Sequence, residues 1–562
     1  MSNRISEPQR VDGASRRGFL KLGAAAGAAA GFAAVLSGCD ITAPTSVGAS
    51  SPATANPNLS IEAGLAYALS TGFDPLSTVS ATPLAANLHI FEALVELHPV
   101  TREAYNALAA SDPLRLDDTT YRVILREGAR FHNGSAVTAE DVAYSFARVL
   151  DPHNKSLLAR FIPFIKSVDV LDSKTIDFSL KYPFPGFGPR LSVIKIVPKD
   201  IVSAGQKAFN AKPIGSGPYK LASAPAAMPA TPSTPAANPT AKPTKPQPTA
   251  SEIKILFEAF ADYNGPKPPL AKGMTWWLLP EPAARVTALQ SGQVQAIENV
   301  PHLDVDGLKS KSRVEFVQSF EFMFLMFNCA KPPFDNKLVR QALHYGLDKD
   351  GIIKKALSGN ATPATSYFPE GHPAYAKARN VYAYDPQKSA GLLNQAGLGS
   401  LEFELLTTDT AWVKDVSAGM LDSWNKIPGV KATIKNVGSS VLESGVGDYS
   451  VIAAPADPSV LGNDAGLVLG WFYSGTSWLT DRVHWNGPES PALQALMDNL
   501  SRAPAAETKS IAGQIVDLVS DAVPLYPLFH RKIATAWDDK KLLGFKPLPT
   551  TGLSFLGVGR AT

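Results

Sequence analysis

The segment 222–250 limits the possible folds more than any other part of this 562-residue chain. It reads ASAPAAMPATPSTPAANPTAKPTKPQPTA, with eight prolines and with Met228 as its one aliphatic side chain larger than alanine. Such a segment cannot bury enough apolar surface to offset the entropy of ordering it, so we expect a disordered surface loop. A docking segment for a proline-binding partner is the alternative, although alanine and threonine dilute any regular PxxP spacing. The patterned sequence on both sides must therefore fold around it.

The N-terminal residues 1–38 have the pattern of an export signal. Arg16 and Arg17 precede a run rich in alanine and glycine that is too short and too weakly apolar for a membrane-spanning helix. The arginine pair favours the twin-arginine route, which exports folded proteins. The stretch LSGC, ending at Cys39, resembles the lipobox of bacterial lipoproteins and implies acylation of the cysteine sulfur; an ordinary cleaved signal is the alternative. Residues 39–58 are rich in Ser, Thr, Ala and Pro, which predicts a flexible tether.

Charge content argues against a nucleic-acid-binding protein, and cysteine content argues against a protein stabilised by internal disulfides. The chain has 53 basic and 50 acidic residues, of which five and two lie in the leader, so the remainder has no net formal charge. A nucleic-acid binder needs a basic surplus, and we expect no nucleic-acid partner. With Cys39 acylated, Cys329 is left alone, so no internal disulfide can form. Its apolar neighbours, FMFLMFNCA, favour a buried and inert thiol.

The patterned part of the chain predicts an α/β fold with more than one lobe. About 500 residues exceed what one hydrophobic core usually organises. Residues 175–180, TIDFSL, alternate apolar and polar side chains as a half-buried strand does. Thr138 is a natural N-cap for a helix in VTAEDVAYSFARVL, where Asp141 can complete a capping box.

Six segments, in order, resemble the bacterial extracellular solute-binding proteins of family 5, the dipeptide- and oligopeptide-binding lipoproteins of ABC transporters. The resemblance extends from about residue 60 to residue 560. The segments are FHNGSAVTAEDVAYSFARVLDP (131–152), PIGSGPYKL (213–221), ILFEAFADYNG (255–265), EPAARVTALQSGQVQAIENV (281–300), FNCAKPPFDNKLVRQALHYGLDKDGIIKKAL (327–357) and LYPLFHRKIATAWDDKKLLGFKP (525–547).

This resemblance implies a two-lobed α/β fold of the periplasmic-binding-protein kind, type II and cluster C-like, with an extra inserted α/β subdomain. The second lobe would be 319–524 and the inserted subdomain 106–189. In relatives the segments on either side of 222–250 follow one another at once, so that stretch would be an insertion. The first lobe would combine 59–105, 190–318 and 525–562.

The function that the resemblance implies is binding, not catalysis. The chain would be the substrate-binding lipoprotein of an ABC importer, capturing short peptides between its lobes and delivering them to the membrane permease. It would be a monomer without cofactor or metal, anchored by Cys39 to the outer face of the cell membrane. Haem or another non-peptide solute is the alternative ligand. A secreted hydrolase is a third hypothesis, but the chain has neither Gly-x-Ser-x-Gly nor His-Glu-x-x-His, and its nine histidines are scattered.

The candidate site residues also come from the resemblance. Asp457 lies where the peptide binders place an aspartate for the α-ammonium of the ligand. Relatives commonly carry Gly-Trp shortly before that aspartate, where this chain has IAAPAD, and this difference keeps non-peptide ligands open. For Asp457 the alternative is a turn carboxylate before proline, and for each aromatic residue it is core packing. The expected aromatic walls of the cleft are Trp471, Tyr473, Trp478, Trp412 and Phe322.

Overall fold

A computed structural model describes most of the chain beyond the leader. The predicted signal, Cys39, most of the tether and residues 226–252 of the proline-rich region lie outside the described residues. Every helix in the described part is too short or too polar to cross a membrane. The described residues are 54–69, 71–78, 80–225, 253–408, 410–438, 448–458, 463–474 and 478–562.

Strands and helices alternate along the chain, which confirms the predicted α/β class. The strands are β1 (Ser60–Leu65), β2 (Val95–Leu97), β3 (Ala104–Asn106), β4 (Leu114–Arg115), β5 (Thr120–Ile124), β6 (Ile165–Val170), β7 (Thr175–Leu180), β8 (Tyr219–Ser223), β9 (Lys254–Ala259), β10 (Gly273–Leu278), β11 (Ala296–Ile297), β12 (Arg313–Phe327), β13 (Ala361–Pro363), β14 (Leu401–Thr408), β15 (Val430–Val437), β16 (Val451–Ala456), β17 (Leu525–Trp537), β18 (Leu542–Leu543) and β19 (Gly559–Arg560).

The α-helices pack on these strands. They are α1 (Ala81–Ile90), α2 (Ala139–Leu150), α3 (Phe187–Arg190), α4 (Lys199–Ala204), α5 (Gln206–Ala211), α6 (Pro282–Gln290), α7 (Val305–Leu308), α8 (Lys337–Tyr345), α9 (Lys349–Ala356), α10 (Pro386–Gln395), α11 (Ala411–Trp424), α12 (Ala465–Tyr473), α13 (Ser490–Arg502) and α14 (Ala505–Ala522).

One large mixed sheet runs through the molecule, and two long antiparallel strands form its centre. Its order is β15-β14-β16-β12-β17-β11-β1-β10-β9-β8, with β13 paired to β17. The second half of β12 joins β16, whereas the second half of β17 joins β11. The pairing of β12 with β17 shifts register between Gln318 and Phe322. Among the described strands, β12 and β17 connect the two wings of the sheet. The predicted lobe boundary, between residues 318 and 319, lies within this register shift and stays a prediction.

The predicted inserted subdomain contains a separate small sheet. Its strands lie in the antiparallel order β4-β5-β7-β6, and α2 packs against them. Ile176, Phe178 and Leu180 are buried in β7, as the alternation predicted. Thr138 accepts from the Asp141 backbone N–H, and Asp141 Oδ2 accepts from the Thr138 N–H at 2.9 Å, which confirms the capping box. The exact boundaries of the lobes and of the subdomain remain a prediction.

The strands on either side of the proline-rich region are neighbours in the large sheet. β8 and β9 pair antiparallel, with Tyr219 opposite Ala259 and Leu221 opposite Phe257. Strands that pair directly need no long connection between them. This pairing is the arrangement expected if residues 222–250 are an insertion in one lobe.

The second half of β12 is buried on both faces, because side chains alternate along a strand. Phe322, Phe324 and Met326 face a core that contains α12 and α14. Met323 and Leu325 face a second core, which contains α8 and α11. This position between two cores fixes β12 firmly and places its polar residues at the crossing between the wings.

Candidate functional site

A buried ion pair lies where β12 and β17 cross between the two wings. Arg531 Nη1 donates to Glu321 Oε2 at 2.6 Å, and the two side chains are only 4% and 5% exposed. Glu321 lies within the register shift of β12, and Arg531 lies on β17. Burial raises the pKa of Glu321 above its usual value, and the positive charge of Arg531 opposes that shift. The pair therefore joins the two crossing strands where the sheet is least regular.

Three residues of the first wing extend this cluster. Arg531 Nη2 donates to Asn299 Oδ1 at 3.3 Å, and Asn299 Nδ2 donates to the Tyr67 hydroxyl at 2.9 Å. Glu298 accepts from the backbone N–H groups of Ala66 and Gly552. Burial, together with the negative charges of Glu321 and Glu298, raises the pKa of the Tyr67 phenol. Tyr67 is therefore a neutral hydroxyl among carboxylates at physiological pH.

Asp457 reaches this cluster from the second wing. It follows β16 directly, and its Oδ2 accepts from the Thr551 backbone N–H at 2.9 Å and from Thr551 Oγ1 at 3.0 Å. Burial lowers the pKa of Arg102 to about 10, and the negative charge of Asp457 opposes that shift. Asp457 also acts electrostatically on Glu321. Its carboxylate thus faces groups of the other wing.

Trp412 is the second predicted site residue in the cluster. It is the second residue of α11, and the Arg531 guanidinium carbon lies 4.0 Å from the centre of its ring. The side chain is half-buried. A guanidinium at this distance over an indole ring forms a cation–π contact, which is strongest where water is excluded. The structure therefore places Trp412 against Arg531, whereas Asp457 is related to the cluster through its charge effect on Glu321.

Trp471 and Trp478 lie away from this cluster. The Trp471 ring stacks on Phe161 of the inserted subdomain, with 5.7 Å between ring centres and 14° between planes. Trp478 packs against Phe472, and Arg482 lies 4.4 Å above its ring. Both tryptophans are half-buried. Trp471 therefore belongs to a contact between α12 and the inserted subdomain.

Phe322 and Tyr473 are in the hydrophobic core. Their exposed fractions are 1% and 0%, and the Tyr473 hydroxyl donates to the Leu525 carbonyl at 2.7 Å. Neither side chain has a surface that a ligand can reach in this conformation. This is the core-packing alternative, and it follows from the burial of β12 and α12 on the faces that carry these rings. Neither residue is included in the site proposed below.

The sequence contains a signal for the residues that the resemblance missed. Glu321 is the single charge in the apolar stretch FEFMFLMF, and Arg531 lies beside Lys532 in the otherwise largely apolar strand LYPLFHRKIATAW. A charge at such a position is costly to bury unless it is paired. The signal indicates that partners exist, but it cannot identify them across 210 residues. In the described residues there is no group of three or more His, Cys, Asp or Glu side chains that could hold a metal ion.

Comparisons with known proteins agree with this architecture. The family model described as bacterial extracellular solute-binding proteins, family 5 middle, matches residues 103–478. The glutathione-binding protein GsiB of Shigella dysenteriae is 27% identical over 476 residues, which are 80% of this chain and 85% of that protein.

Two solved structures are similar over nearly their whole length. A dipeptide-binding protein of a Pseudoalteromonas species, solved with Met-Leu, is 18% identical with a TM-score of 0.76, covering 89% of this chain and 100% of that one. The binding protein AgaA of A. tumefaciens, solved with agropinic acid, is 25% identical with a TM-score of 0.75, covering 90% and 99%. These likenesses confirm the two-lobed type II periplasmic-binding-protein fold.

Proposed function

Since this chain belongs to family 5 of the bacterial extracellular solute-binding proteins, we propose that it captures short peptides between its two lobes and delivers them to the permease of an ABC importer. The general role of the protein follows from the family itself. The protein is an extracytoplasmic substrate-binding protein that works with an ABC transporter, and it is not an enzyme. The peptide ligand, the lipid anchor and the individual site residues are the proposed parts.

The position of Asp457 is the observation that carries the peptide proposal. Its carboxylate accepts an N–H and an O–H from Thr551, a residue of the other wing. The α-ammonium of a peptide offers donors of the same kind and adds a full positive charge. An ammonium placed between the wings would therefore add a charge-assisted interaction at Asp457. Support also comes from GsiB, because glutathione is itself a short peptide.

Trp412 supplies an apolar surface for the same ligand. Its ring is held in place by Arg531 on one side and by α11, so little side-chain entropy is lost when a ligand packs against it. A flat aromatic surface suits an extended backbone whose side chains vary. We place the ammonium end of the peptide at Asp457 and its first side chain near Trp412.

The direct test is the melting temperature of the protein in the presence of di- to pentapeptide pools. Binding to the native state alone raises the melting temperature by mass action. The same pools with acetylated N-termini are the matched control, because they lack the ammonium. A shift with free peptides and none with acetylated ones supports the proposal, and no shift with either pool contradicts it.

The role of Asp457 is tested separately by substitution. Asp457→Ala should weaken peptide binding by about 2–5 kcal/mol if the carboxylate pairs with a desolvated ammonium. Asp448→Ala is the matched control, since Asp448 lies just before the same strand, is 82% exposed and pairs with Lys331 on the surface. Equal affinities of the Asp457 variant and the parent would remove Asp457 from the site.

A non-peptide solute is the second candidate. AgaA, which is similar over 90% of this chain, was solved with agropinic acid. Haem is the other non-peptide ligand that the family resemblance leaves open. A melting-temperature shift with opines or with haem, and none with peptides, would favour this candidate.

Export and anchoring are proposed from the leader alone. Arg16 and Arg17 would direct the folded protein to the twin-arginine route, and Cys39 would carry the lipid that holds the monomer at the outer face of the cell membrane. Cys39→Ser should move the protein from the membrane fraction to the soluble fraction. An unchanged membrane fraction would contradict the anchor.

A further inference from the structure

We propose that Arg531 is a positioning residue that couples the relative placement of the two lobes to the orientation of Trp412 in the ligand site. The inference rests on the proposed closing of the lobes around a ligand, and it concerns a residue outside the predicted ligand contacts. Three groups from different parts of the fold converge on this one guanidinium, namely Glu321, Asn299 and Trp412.

Arg531 links the two crossing strands. It lies on β17, and its Nη1 donates to Glu321 Oε2 on β12 at 2.6 Å. Glu321 lies inside the register shift, and its backbone N–H donates to Ser319 Oγ at 2.9 Å. Hinge motions are absorbed by a few residues at irregular points of connecting elements. The ion pair is therefore placed where bending of β12 would be felt first.

The same guanidinium is bound to the first lobe. Arg531 Nη2 donates to Asn299 Oδ1 at 3.3 Å, and Asn299 in turn donates to the Tyr67 hydroxyl. Asn299 has a φ of 54°, the left-handed conformation, which is uncommon for residues other than glycine. Its carbonyl accepts from Arg285 Nη2 at 3.0 Å, which holds that conformation. The first lobe therefore presents a fixed acceptor to Arg531.

The second lobe meets Arg531 through Trp412. The guanidinium carbon lies 4.0 Å from the ring centre, the shortest cation–π distance found among the described residues together with that between Lys388 and Tyr345. A planar guanidinium can donate at its edge and stack on its face at the same time, which a lysine ammonium cannot do. Arg531 uses its edge for the crossing strands and the first lobe, and its face for Trp412.

These contacts make the arrangement depend on both lobes. A movement of the second lobe that displaced Trp412 would leave the face of the buried guanidinium without its partner. A bend of β17 that displaced Arg531 from Asn299 would break the bond between these two side chains. A buried charge that loses one partner is strongly destabilised. The orientation of Trp412 and the distance between the lobes should therefore change together.

The test measures the interlobe distance and the environment of Trp412 in the absence of ligand. Its outcome therefore does not depend on whether the protein binds peptides. Spin labels at Lys272 in the first lobe and Lys431 in the second, both exposed, report the interlobe distance in the full chain. The difference between the tryptophan emission of the parent and that of Trp412→Phe is the emission of Trp412, and its wavelength reports the environment of that ring. The variants are Arg531→Met and Arg531→Lys. Arg313→Met is the matched control, because Arg313 also lies over a tryptophan of the crossing strands, 5.5 Å from Trp537, but is 53% exposed.

Arg531→Met should change the ratio of the short and long interlobe distances by about tenfold or more, the effect of losing a hydrogen bond to a charged group, and should shift the emission of Trp412. Arg531→Lys should recover less than half of the change, and Arg313→Met should match the parent. A ratio within twofold of the parent in Arg531→Met, or full recovery by lysine, would overturn the proposal.

A second variant decides the question if Arg531→Met does not fold. Asn299→Gly keeps the left-handed backbone and removes the side chain that joins Arg531 to Tyr67. It should move the distance ratio in the same direction as Arg531→Met, by a smaller factor. An unchanged ratio and an unchanged Trp412 emission in Asn299→Gly would overturn the proposal. If the variants change the interlobe distance and the Trp412 emission as expected, but peptides do not raise the melting temperature, the peptide ligand is refuted and the role of Arg531 is not.

Discussion

Arg190 directly follows the predicted inserted subdomain and bonds to Phe161 within it, so breaking its ion pair with Asp464 should loosen the packing of the second lobe against that subdomain. Arg190 Nη2 and Nε donate to Asp464 Oδ2 at 2.6 and 3.2 Å, and Nη1 donates to the Phe161 carbonyl at 2.8 Å. The Arg190 side chain is 7% exposed and that of Asp464 is 29% exposed. Asp464 is also the N-cap of α12, where its Oδ1 accepts from the Leu467 N–H.

The magnitude follows from this geometry. The two bonds share one carboxylate oxygen, so we treat them as one charge-assisted interaction of about 1.5–3 kcal/mol. The 3–5 kcal/mol lost when a fully buried pair is broken is an upper bound, because Asp464 retains contact with water. We therefore expect a coupling free energy of about 2 kcal/mol between the two side chains.

The assay is a double-mutant cycle in urea unfolding with Arg190→Met and Asp464→Asn. Asparagine is as good an N-cap as aspartate, so the second substitution removes the charge and spares the helix. The matched control is the pair Arg122–Asp177, in which two N–H groups of the arginine donate to the two carboxylate oxygens, at 2.8 and 2.8 Å. It lies within one small sheet, with side chains 35% and 16% exposed, and should show a coupling of at most about 1 kcal/mol.

Two results would refute this reasoning. A coupling below about 0.5 kcal/mol between Arg190 and Asp464 would mean that the pair is solvated and contributes little. A coupling equal to that of the control pair would mean that burial at the contact adds nothing. If the contact also favours the closed lobes, Arg190→Met should lower the apparent ligand affinity although Arg190 does not touch the proposed ligand site.

Three further predictions concern parts of the chain outside the site. Cys329, whose thiol pKa is raised by burial to about 11, should resist iodoacetamide at pH 8 in the native protein and react after unfolding; equal rates would contradict this. Burial lowers the pKa of His344 far below its usual value, so the unfolded chain binds more protons and stability falls as the pH drops below about 6.5, by up to about 1.4 kcal/mol per pH unit. His344→Leu should reduce that slope in urea titrations, since neither ring nitrogen has a hydrogen-bond partner among the described residues; an equal slope would refute the assignment. Deleting 226–250 should leave the unfolding midpoint and ligand affinity nearly unchanged, because β8 and β9 pair directly; a large loss of either would contradict an insertion.

Local features of the fold could be predicted from the sequence. The capping box of α2 depends on two residues three positions apart, and the alternation of β7 depends on six consecutive residues. Short-range patterns of this kind carry their own physical explanation, because the partners are fixed by helix and strand geometry. The overall fold could be predicted because six segments that resemble the family occur in the same order along the chain.

The candidate site could be predicted only in part. Asp457 and Trp412 were indicated by the resemblance; Trp412 contacts Arg531 and Asp457 accepts from Thr551, and their role in ligand binding stays a prediction. Phe322 was expected to line the cleft, but it packs in the core. Both faces of the second half of β12 are buried, and the sequence does not show whether an apolar side chain there faces a core or a cleft. The pairing of Glu321 with Arg531 depends on strands more than 200 residues apart, and no local pattern encodes it.

Ligand-driven closing of the two lobes is measured most directly by small-angle X-ray scattering of the full chain. Titration with the peptide pool that raises the melting temperature should reduce the radius of gyration to a constant value at one peptide per chain, and the acetylated pool should leave it unchanged. A peptide that binds with high affinity but leaves the scattering curve of the ligand-free protein unaltered would contradict capture between moving lobes.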